Sequence, residues 1–285
     1  MAQESHFITT ADGKIHYQTI GEGPSLLIIN GGPGFSSEGF MSLGKSIAAM
    51  GYSSILFDQR GTGQSTLNHV DGTTLTMDLM VEDMERIRTD LNLKQWIVLG
   101  HSFGGMLANY YTSKYPENVV ALIHSSSGGL DLALLDNVQA NLHAKLTQQK
   151  RDSLVYWRQK MRAENSITNR EQYYNILAST YVYNKAHIPQ VSQRLMQGNM
   201  TINQLVWNDM HRIEYDCKDA LKAFNKPVLI LQGKQDVLSA SVANTAKDVF
   251  SNATLYFLDE CGHYGWLDQK DKYYTYIQTF LDGLD

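Results

Sequence analysis

The chain has 285 residues, 43% of them hydrophobic and 19% charged, enough for one large core with room for a second subdomain. A formal net charge of −5 gives no overall basic field for nucleic acid. No stretch approaches the ~20 apolar residues that span a bilayer. Residues 1–6 contain an acid and no apolar run, so no secretory signal is predicted. With Cys217 and Cys261 as its two cysteines, we expect a reduced, cytoplasmic protein.

Short apolar runs bounded by turn residues predict the strands. The turn at Asp12-Gly13 predicts a hairpin between the first two of them. The nearly continuous apolar run 25–30 (SLLIIN) is typical of a strand buried on both faces. The predicted strands are 6–10, 14–20, 25–30, 53–58, 95–100, 119–125, 227–233 and, more weakly, 253–257.

Helical patterns lie between these strands. Apolar residues recur every three or four positions at Met77, Met80, Met84, Ile87 and Leu91, which places them on one helix face. We interpret methionines at this spacing as core packing and not as a ligand site. Strands that alternate with helices predict an α/β fold with a mostly parallel sheet covered on both faces.

This alternation stops between residues 129 and 222. Strand-like runs are missing there, and no proline lies between Pro116 and Pro189 to interrupt long helices. The segment is slightly basic, whereas the rest of the chain is acidic. We predict that residues 129–222, called the lid segment below, form a helical insertion between two strands of a core made of residues 1–128 and 223–285.

Residues 100–105 (GHSFGG) follow a predicted strand and precede a helical pattern. A Gly-x-Ser-x-Gly string in that context is typical of a tight turn that lifts a serine hydroxyl toward a base. Gly100 and Gly104 remove the side chains that would clash in such a turn. We therefore predict Ser102 as a nucleophile, and the alternative is an accidental glycine-rich turn.

An acid and then a histidine should follow such a serine along the chain. Asp236 lies just past the predicted strand 227–233, and His263 is the one histidine beyond it. In this hypothesis His263 takes the serine proton, while Asp236 orients and stabilises the imidazolium. The alternative for Asp236 is a solvated turn residue, and Asp131 is the alternative acid.

Two further histidines lie close to the predicted nucleophile or its strand. We expect the turn to aim the His101 side chain away from the site. His124 ends a predicted strand and is expected to line the pocket. The remaining histidines are interpreted as structural.

A second glycine-rich turn, residues 30–34 (NGGPG), ends the predicted strand 25–30. Glycines let backbone N–H groups approach a substrate without intervening side chains. We predict that the amides of Gly32 and Phe103 form an oxyanion hole, in which one donor is worth about 3–4 kcal/mol. A phosphate-binding loop is disfavoured because the Gly-x-x-x-x-Gly-Lys pattern is missing. A bare turn is the remaining alternative.

With these motifs the chain resembles the α/β-hydrolase superfamily over nearly its whole length. Residues 31–34 (GGPG) together with 58–65 (DQRGTGQS) resemble the proline iminopeptidase (prolyl aminopeptidase) group. The resemblance implies an α/β-hydrolase fold with a lid, in an enzyme that releases N-terminal residues, often proline, from short peptides. The direct role expected of 58–65 is structural, with Asp58 and Arg60 bracing the loop.

Two departures from that group bear on the substrate. Asn30 stands where the family usually has His, which concerns the support of the predicted oxyanion loop. The turn around Ser102 reads GHSFG, as in many general esterases, where the family often has GGSWG.

An aminopeptidase also needs a carboxylate for the protonated amine of its substrate. The resemblance implies that lid glutamates serve, and the lid segment contains Glu164, Glu171 and Glu214. Glu214, in the string HRIEY, corresponds best to the family's amine binder and is the predicted substrate-binding residue. A surface glutamate paired with Arg212 is the alternative.

These observations predict a serine hydrolase that acts through an acyl-enzyme on short, proline-leading peptides. A carboxylesterase, lactonase or amidase without an amine requirement is one alternative, and a non-catalytic ligand-binding protein of the same fold is another. We expect no cofactor and no metal, since no His/Cys/Asp cluster shows ligand spacing. The expected partner is a small molecule or short peptide, with no nucleic acid and no membrane. The oligomeric state is left open.

Overall fold

The computed structural model describes residues 2–284, and within them nine strands and twelve α-helices form the fold. The strands are β1 (Gln3–Thr9), β2 (Gly13–Ile20), β3 (Ser25–Ile29), β4 (Ser53–Phe57), β5 (Thr66–Leu67), β6 (Trp96–His101), β7 (Val119–Ser125), β8 (Val228–Gly233) and β9 (Ala253–Leu258). The helices are α1 (Met41–Ala49), α2 (Met77–Asp90), α3 (Phe103–Lys114), α4 (Val138–Ala144), α5 (Gln148–Ala163), α6 (Ile167–Tyr181), α7 (Ile188–Met196), α8 (Met200–Arg212), α9 (Lys218–Leu221), α10 (Ala240–Val249), α11 (Gly265–Asp268) and α12 (Lys270–Asp282).

One sheet contains all nine strands found in residues 2–284. Their order is β1-β2-β4-β3-β6-β7-β8-β9, with β5 paired to β2. The pairs that involve β2 are antiparallel, and those from β4 through β9 are parallel. The predicted α/β class with its mostly parallel sheet is confirmed. The sequence did not predict β5, because two residues are too few for a periodic pattern.

The central strands are buried on both faces, as β3 shows. Leu27 and Ile29 belong to one hydrophobic core, and Leu26 and Ile28 belong to a second core on the opposite face. A strand covered on both sides has no solvent-facing positions, so its sequence is apolar without alternation. The helical stripe that begins at Met77 is buried in the first core, so its methionines are packing residues as predicted.

Six helices, α4 to α9, connect β7 to β8 and lie within the lid segment. Among the described residues, the segment's one β contact is an isolated bridge between Asp131 and Asp216. The segment leaves the sheet at the carboxyl ends of its parallel strands, the edge where sheets of this kind bind ligands. No helix in the described part of the chain has both the length and the apolar character to cross a bilayer.

Residues 58–65 connect the sheet edge to its neighbouring elements. Arg60 donates to both carboxylate oxygens of Asp83, at 2.6 and 3.0 Å. Asp58 accepts from the N–H and the hydroxyl of Ser37, at 2.8 and 2.9 Å. Arg60, Asp83 and Asp58 are all buried, so the contacts of this motif are those of a structural brace.

Replacing Arg60 by Met should lower the free energy of unfolding by about 3–5 kcal/mol, because the substitution leaves the buried Asp83 carboxylate without its counter-ion. Chemical denaturation measures the difference. The matched control is Lys222→Met, which removes the exposed ion pair with Asp219 and should leave stability unchanged. Equal unfolding curves for the two variants would contradict the structural role of Arg60.

Candidate active site

Ser102 lies in the sharp turn between β6 and α3. Its backbone angles, φ 55° and ψ −123°, are rare for a residue with a side chain. The surrounding structure holds this conformation, since the Ser102 N–H donates to the carbonyls of Ser125 and Ser126 at 3.2 and 3.0 Å. Backbone strain of this kind concentrates at functional sites.

Two glycines permit the turn, because neighbouring backbone atoms lie where their side chains would be. A Cβ on Gly100 would lie 2.4 Å from the Gly104 carbonyl oxygen, and a Cβ on Gly104 would lie 2.1 Å from the Ile29 carbonyl oxygen. No side chain fits either space. Helix α3 therefore begins directly against the end of β3, as expected from the Gly-x-Ser-x-Gly spacing.

The imidazole of His263 and the carboxylate of Asp236 form a buried hydrogen bond, with 2.8 Å between Nδ1 and Oδ1. The carboxylate also accepts from the N–H of Leu238 at 3.1 Å and from the Gln232 amide at 2.8 Å. Burial alone would raise the pKa of Asp236, but His263 and the Leu238 N–H outweigh it and lower that pKa below its usual value. An ionised carboxylate only accepts, so Nδ1 carries a proton, and in the neutral imidazole the lone pair is then on Nε2.

His263 and Ser102 line the same cavity. The lid segment holds the His263 loop, since the His263 N–H donates to the Tyr181 carbonyl at 2.7 Å and the two rings lie 5.5 Å apart. Within residues 2–284 no hydrogen bond joins the Ser102 hydroxyl to His263, and catalytic bonds of this type are often long until substrate binds. The structure thus brings Ser102, His263 and Asp236 to one edge of the sheet.

The alternatives for the acid are not favoured by this geometry. Asp236 is only 8% exposed, so it is not a solvated turn residue. Asp131 forms its ion pair with Lys218 and accepts the Ala133 N–H at 3.0 Å.

The expectation for His101 is wrong, because its side chain lines the cavity. His101 is the last residue of β6 and points to the same face as Ile97 and Leu99, as the two-residue period of a strand requires. Its ring centroid lies 4.6 Å from that of His263. Burial, followed by the charges of His263 and Arg194, holds the pKa of His101 well below its usual value, so the ring is neutral.

The expectation for His124 is also wrong, since it is not part of the cavity lining. It shares a strand face with Leu122, which points into the first core. Its Nε2 lies 2.8 Å from Oδ1 of Asn109, and burial lowers its pKa to about 3. His124 is a neutral core residue.

The loop after β3 lies against the Ser102 turn, as shown by Gly31, on which a Cβ would be 2.7 Å from the Ser102 Cβ. Gly32, with φ +69°, and Phe103 both line the cavity. Neither the Gly32 N–H nor the Phe103 N–H donates a hydrogen bond to any of residues 2–284. Both N–H groups are therefore available to an oxygen bound in the cavity.

Asn30, at the position where the resembled group usually has His, braces this loop with its side-chain amide. Its Nδ2 donates to the Phe35 carbonyl at 3.0 Å and to the Gly31 carbonyl at 3.3 Å. Its own backbone carbonyl accepts from the Gln59 side chain at 2.9 Å. The replacement thus retains side-chain support for the loop.

The cavity beside Ser102 has a volume of about 420 Å³, and much of its lining is apolar side chains of the lid segment. These include Leu134, Val138, Leu142, Leu177, Leu195 and Trp207. No Asp or Glu side chain among residues 2–284 lines it, and its one Arg or Lys is Arg194 of α7. Sequence reasoning missed Arg194, because its local pattern does not distinguish it from the other cations of the lid segment.

Glu214, the predicted amine binder, is exposed just after α8 and does not line the cavity. Arg212 forms its ion pair with Asp209 instead. The other glutamates of the lid segment, Glu164 and Glu171, are exposed as well and lie outside the lining. The structure does not bring any of the three glutamates to the cavity beside Ser102.

A second hydroxyl–imidazole–carboxylate arrangement lies near the β1 edge of the sheet. Ser5 Oγ is 2.9 Å from His16 Nε2, and His16 Nδ1 is 2.9 Å from Asp58 Oδ2. Ser5 is exposed on β1 and has no part in the cavity that Ser102 lines. We interpret this arrangement as part of the brace around Asp58.

Comparison with known proteins identifies the family. The family model described as alpha/beta hydrolase fold matches residues 24–269. The chain therefore belongs to the alpha/beta hydrolase fold family, as the predicted fold class implied.

Individual relatives are more specific. The proline iminopeptidase of Lactobacillus helveticus (strain DPC 4571) is 27% identical, over 95% of both chains. Among solved structures, VinJ has a TM-score of 0.78 at 17% identity, with 99% of both chains covered. Proline iminopeptidase from Mycobacterium smegmatis has a TM-score of 0.74 at 20% identity, over 99% of this chain and 98% of that one. The predicted resemblance to proline iminopeptidases is confirmed, and the two structural likenesses show the shared fold.

Replacing Gly104 by Ala should lower kcat by about 100-fold and reduce stability, because α3 must move away from β3 and displaces Ser102. Steady-state kinetics and thermal unfolding measure the two effects. Gly72→Ala is the control, since a Cβ there meets nothing within 4 Å. A Gly104 variant as active as the control would show that the close contact is dispensable.

Proposed function

We propose that the protein hydrolyses carboxylic esters or amides through an acyl-enzyme on Ser102. The Ser102 hydroxyl attacks the substrate carbonyl while Nε2 of His263 takes its proton, and Asp236 stabilises the resulting imidazolium. His263 then returns the proton to the leaving group, and water releases the acyl group by the same route. The 2.8 Å bond between Asp236 and His263 supports this role, since it holds the proton on Nδ1 and leaves Nε2 as the base.

The free N–H groups of Gly32 and Phe103 support an oxyanion hole in the same cavity. Charge develops on the carbonyl oxygen as the tetrahedral intermediate forms, and preorganised donors stabilise it. The Phe103 N–H also belongs to the first turn of α3, where the positive end of the helix dipole adds to that stabilisation.

The charge of the side chains that line the cavity is the observation that supports a substrate class. Among residues 2–284 no Asp or Glu lines the cavity, whereas Arg194 does. A protonated amine entering this space would lose its hydration, find no counter-ion and meet a like charge. We therefore infer an uncharged, apolar acyl group, as in a simple carboxylic ester or amide.

A proline-type aminopeptidase is the second candidate, favoured by the likeness to the L. helveticus proline iminopeptidase over 95% of the chain. In this cavity the substrate amine would meet neutral acceptors in place of a carboxylate, with Gln139 and Asn203 among the lining side chains. The two candidates share Ser102, His263 and Asp236 and differ in the charge of the group beside the scissile carbonyl.

Each of the variants Ser102→Ala, His263→Gln and Asp236→Asn should lower kcat on p-nitrophenyl butyrate by about 10⁴-fold or more, because the three residues act as one unit. Labelling by a fluorophosphonate should disappear in Ser102→Ala. The control is Ser5→Ala, which removes the hydroxyl of the second Ser–His–Asp arrangement and should keep both turnover and labelling. Persistent labelling of the Ser102 variant would refute the assigned nucleophile.

The substrate class is tested by p-nitroanilides of alanine and proline with free or acetylated amines. We expect acetylation to raise kcat/KM by at least about tenfold, since it removes the charge that the cavity does not accommodate. Glu214→Gln should leave kcat/KM on every substrate unchanged. A marked preference for the free amine would establish the aminopeptidase in place of the esterase.

A further inference from the structure

The oxyanion donor of Gly32 belongs to a peptide unit that the sheet does not hold. Strand β3 ends at Ile29, and the unit joins two glycines, Gly31 and Gly32, whose lack of side chains makes rotation of the peptide plane easy. The Gly32 N–H makes no hydrogen bond within residues 2–284. Contacts on the carbonyl side of the unit must therefore set its direction.

Arg194 makes the shorter of the two side-chain hydrogen bonds to the Gly31 carbonyl. Its Nη2 donates to the Gly31 oxygen at 2.9 Å, whereas Nδ2 of Asn30 lies at 3.3 Å. In a trans peptide the C=O and the N–H point in opposite directions. A guanidinium on the Gly31 oxygen therefore aims the Gly32 N–H away from itself. Its charge also polarises the amide and strengthens the N–H as a donor.

Arg194 itself is held rigidly, although it has no counter-ion. It is 8% exposed, and no Asp or Glu of residues 2–284 forms an ion pair with it. Its guanidinium packs on the rings of Phe35 and Phe40, at 5.3 and 4.7 Å, and its Nη1 donates to the Ser36 carbonyl at 3.3 Å. A buried cation held only by neutral groups is costly, and its contacts converge on the loop that carries the oxyanion donor.

The same side chain reaches the loop of the catalytic base. Arg194 lies close enough to the hydroxyl of Tyr264, the residue after His263, that its charge acts to lower the pKa of that hydroxyl. Since Arg194 lies on α7 of the lid segment, one side chain connects the lid, the oxyanion loop and the His263 loop.

We propose that Arg194 is a positioning residue that holds the Gly31–Gly32 peptide with its N–H toward the reacting carbonyl. This inference rests on the proposed function. In this proposal the oxyanion hole forms only when α7 is docked, so that the hole is complete only when the lid segment is in place.

The test compares Arg194→Met with Arg158→Met, a control that removes an exposed arginine of the same segment. We expect Arg194→Met to lower kcat on p-nitrophenyl butyrate about 100-fold with KM changed less than about threefold, as for loss of one oxyanion donor. The inhibition constant of butylboronic acid, which forms a tetrahedral adduct on Ser102, should rise by a similar factor. The control should match the unmodified protein in all three quantities.

Arg194→Lys keeps the charge but loses the planar guanidinium, and it serves if the Met variant does not fold. We expect it to lower kcat and boronate affinity in parallel, by about three- to tenfold. An unchanged kcat in a folded variant, or equal losses of substrate and boronate affinity, would overturn the positioning role. If Ser102→Ala instead keeps full activity, the proposed hydrolase mechanism fails, and that outcome is independent of the Arg194 variants.

Discussion

The contact between the start of α3 and the end of β3 is the constraint on which the site depends. Gly104 lies so close to the Ile29 carbonyl that a Cβ would be 2.1 Å from the oxygen. At this contact Ser102 has its strained backbone, Phe103 begins the helix with a free N–H, and the Gly31 backbone lies beside Ser102. Ser102 and the Phe103 N–H are thus positioned by one backbone packing event, whereas the Gly31–Gly32 peptide also receives side-chain hydrogen bonds from Arg194 and Asn30.

The lid segment adds contacts to the site that the core alone does not supply. Its Tyr181 carbonyl holds the His263 loop, and its Arg194 side chain holds the Gly31 carbonyl. It also gives the cavity an apolar lining without a carboxylate in the described residues. A chain can therefore resemble proline iminopeptidases along its length and still offer a protonated amine no counter-ion, because side chains of this segment form much of the cavity lining.

Much of the core could be predicted from the sequence, since local patterns decide it. The strands buried on both faces are apolar without alternation, and the α2 stripe has helical spacing, so the α/β class followed from residue order. Ser102, Asp236 and His263 were identified because each follows a strand end in the expected order, and the structure gathers them at one sheet edge. The predictions for His101 and His124 were wrong, since strand alternation and not the adjacent turn directs their side chains.

The sequence by itself determined the sheet, the glycine-bounded turn and the three residues that converge beside it, because strand periodicity and the short-range sterics of glycine act between neighbours in the chain. Only the tertiary structure decided which residues of the lid segment line the cavity. Glu214 fitted a sequence string and lies exposed, whereas Arg194 fitted none and lies buried against the oxyanion loop. Helices α4 to α9 pack through contacts between residues far apart in the chain, and no local pattern records those contacts.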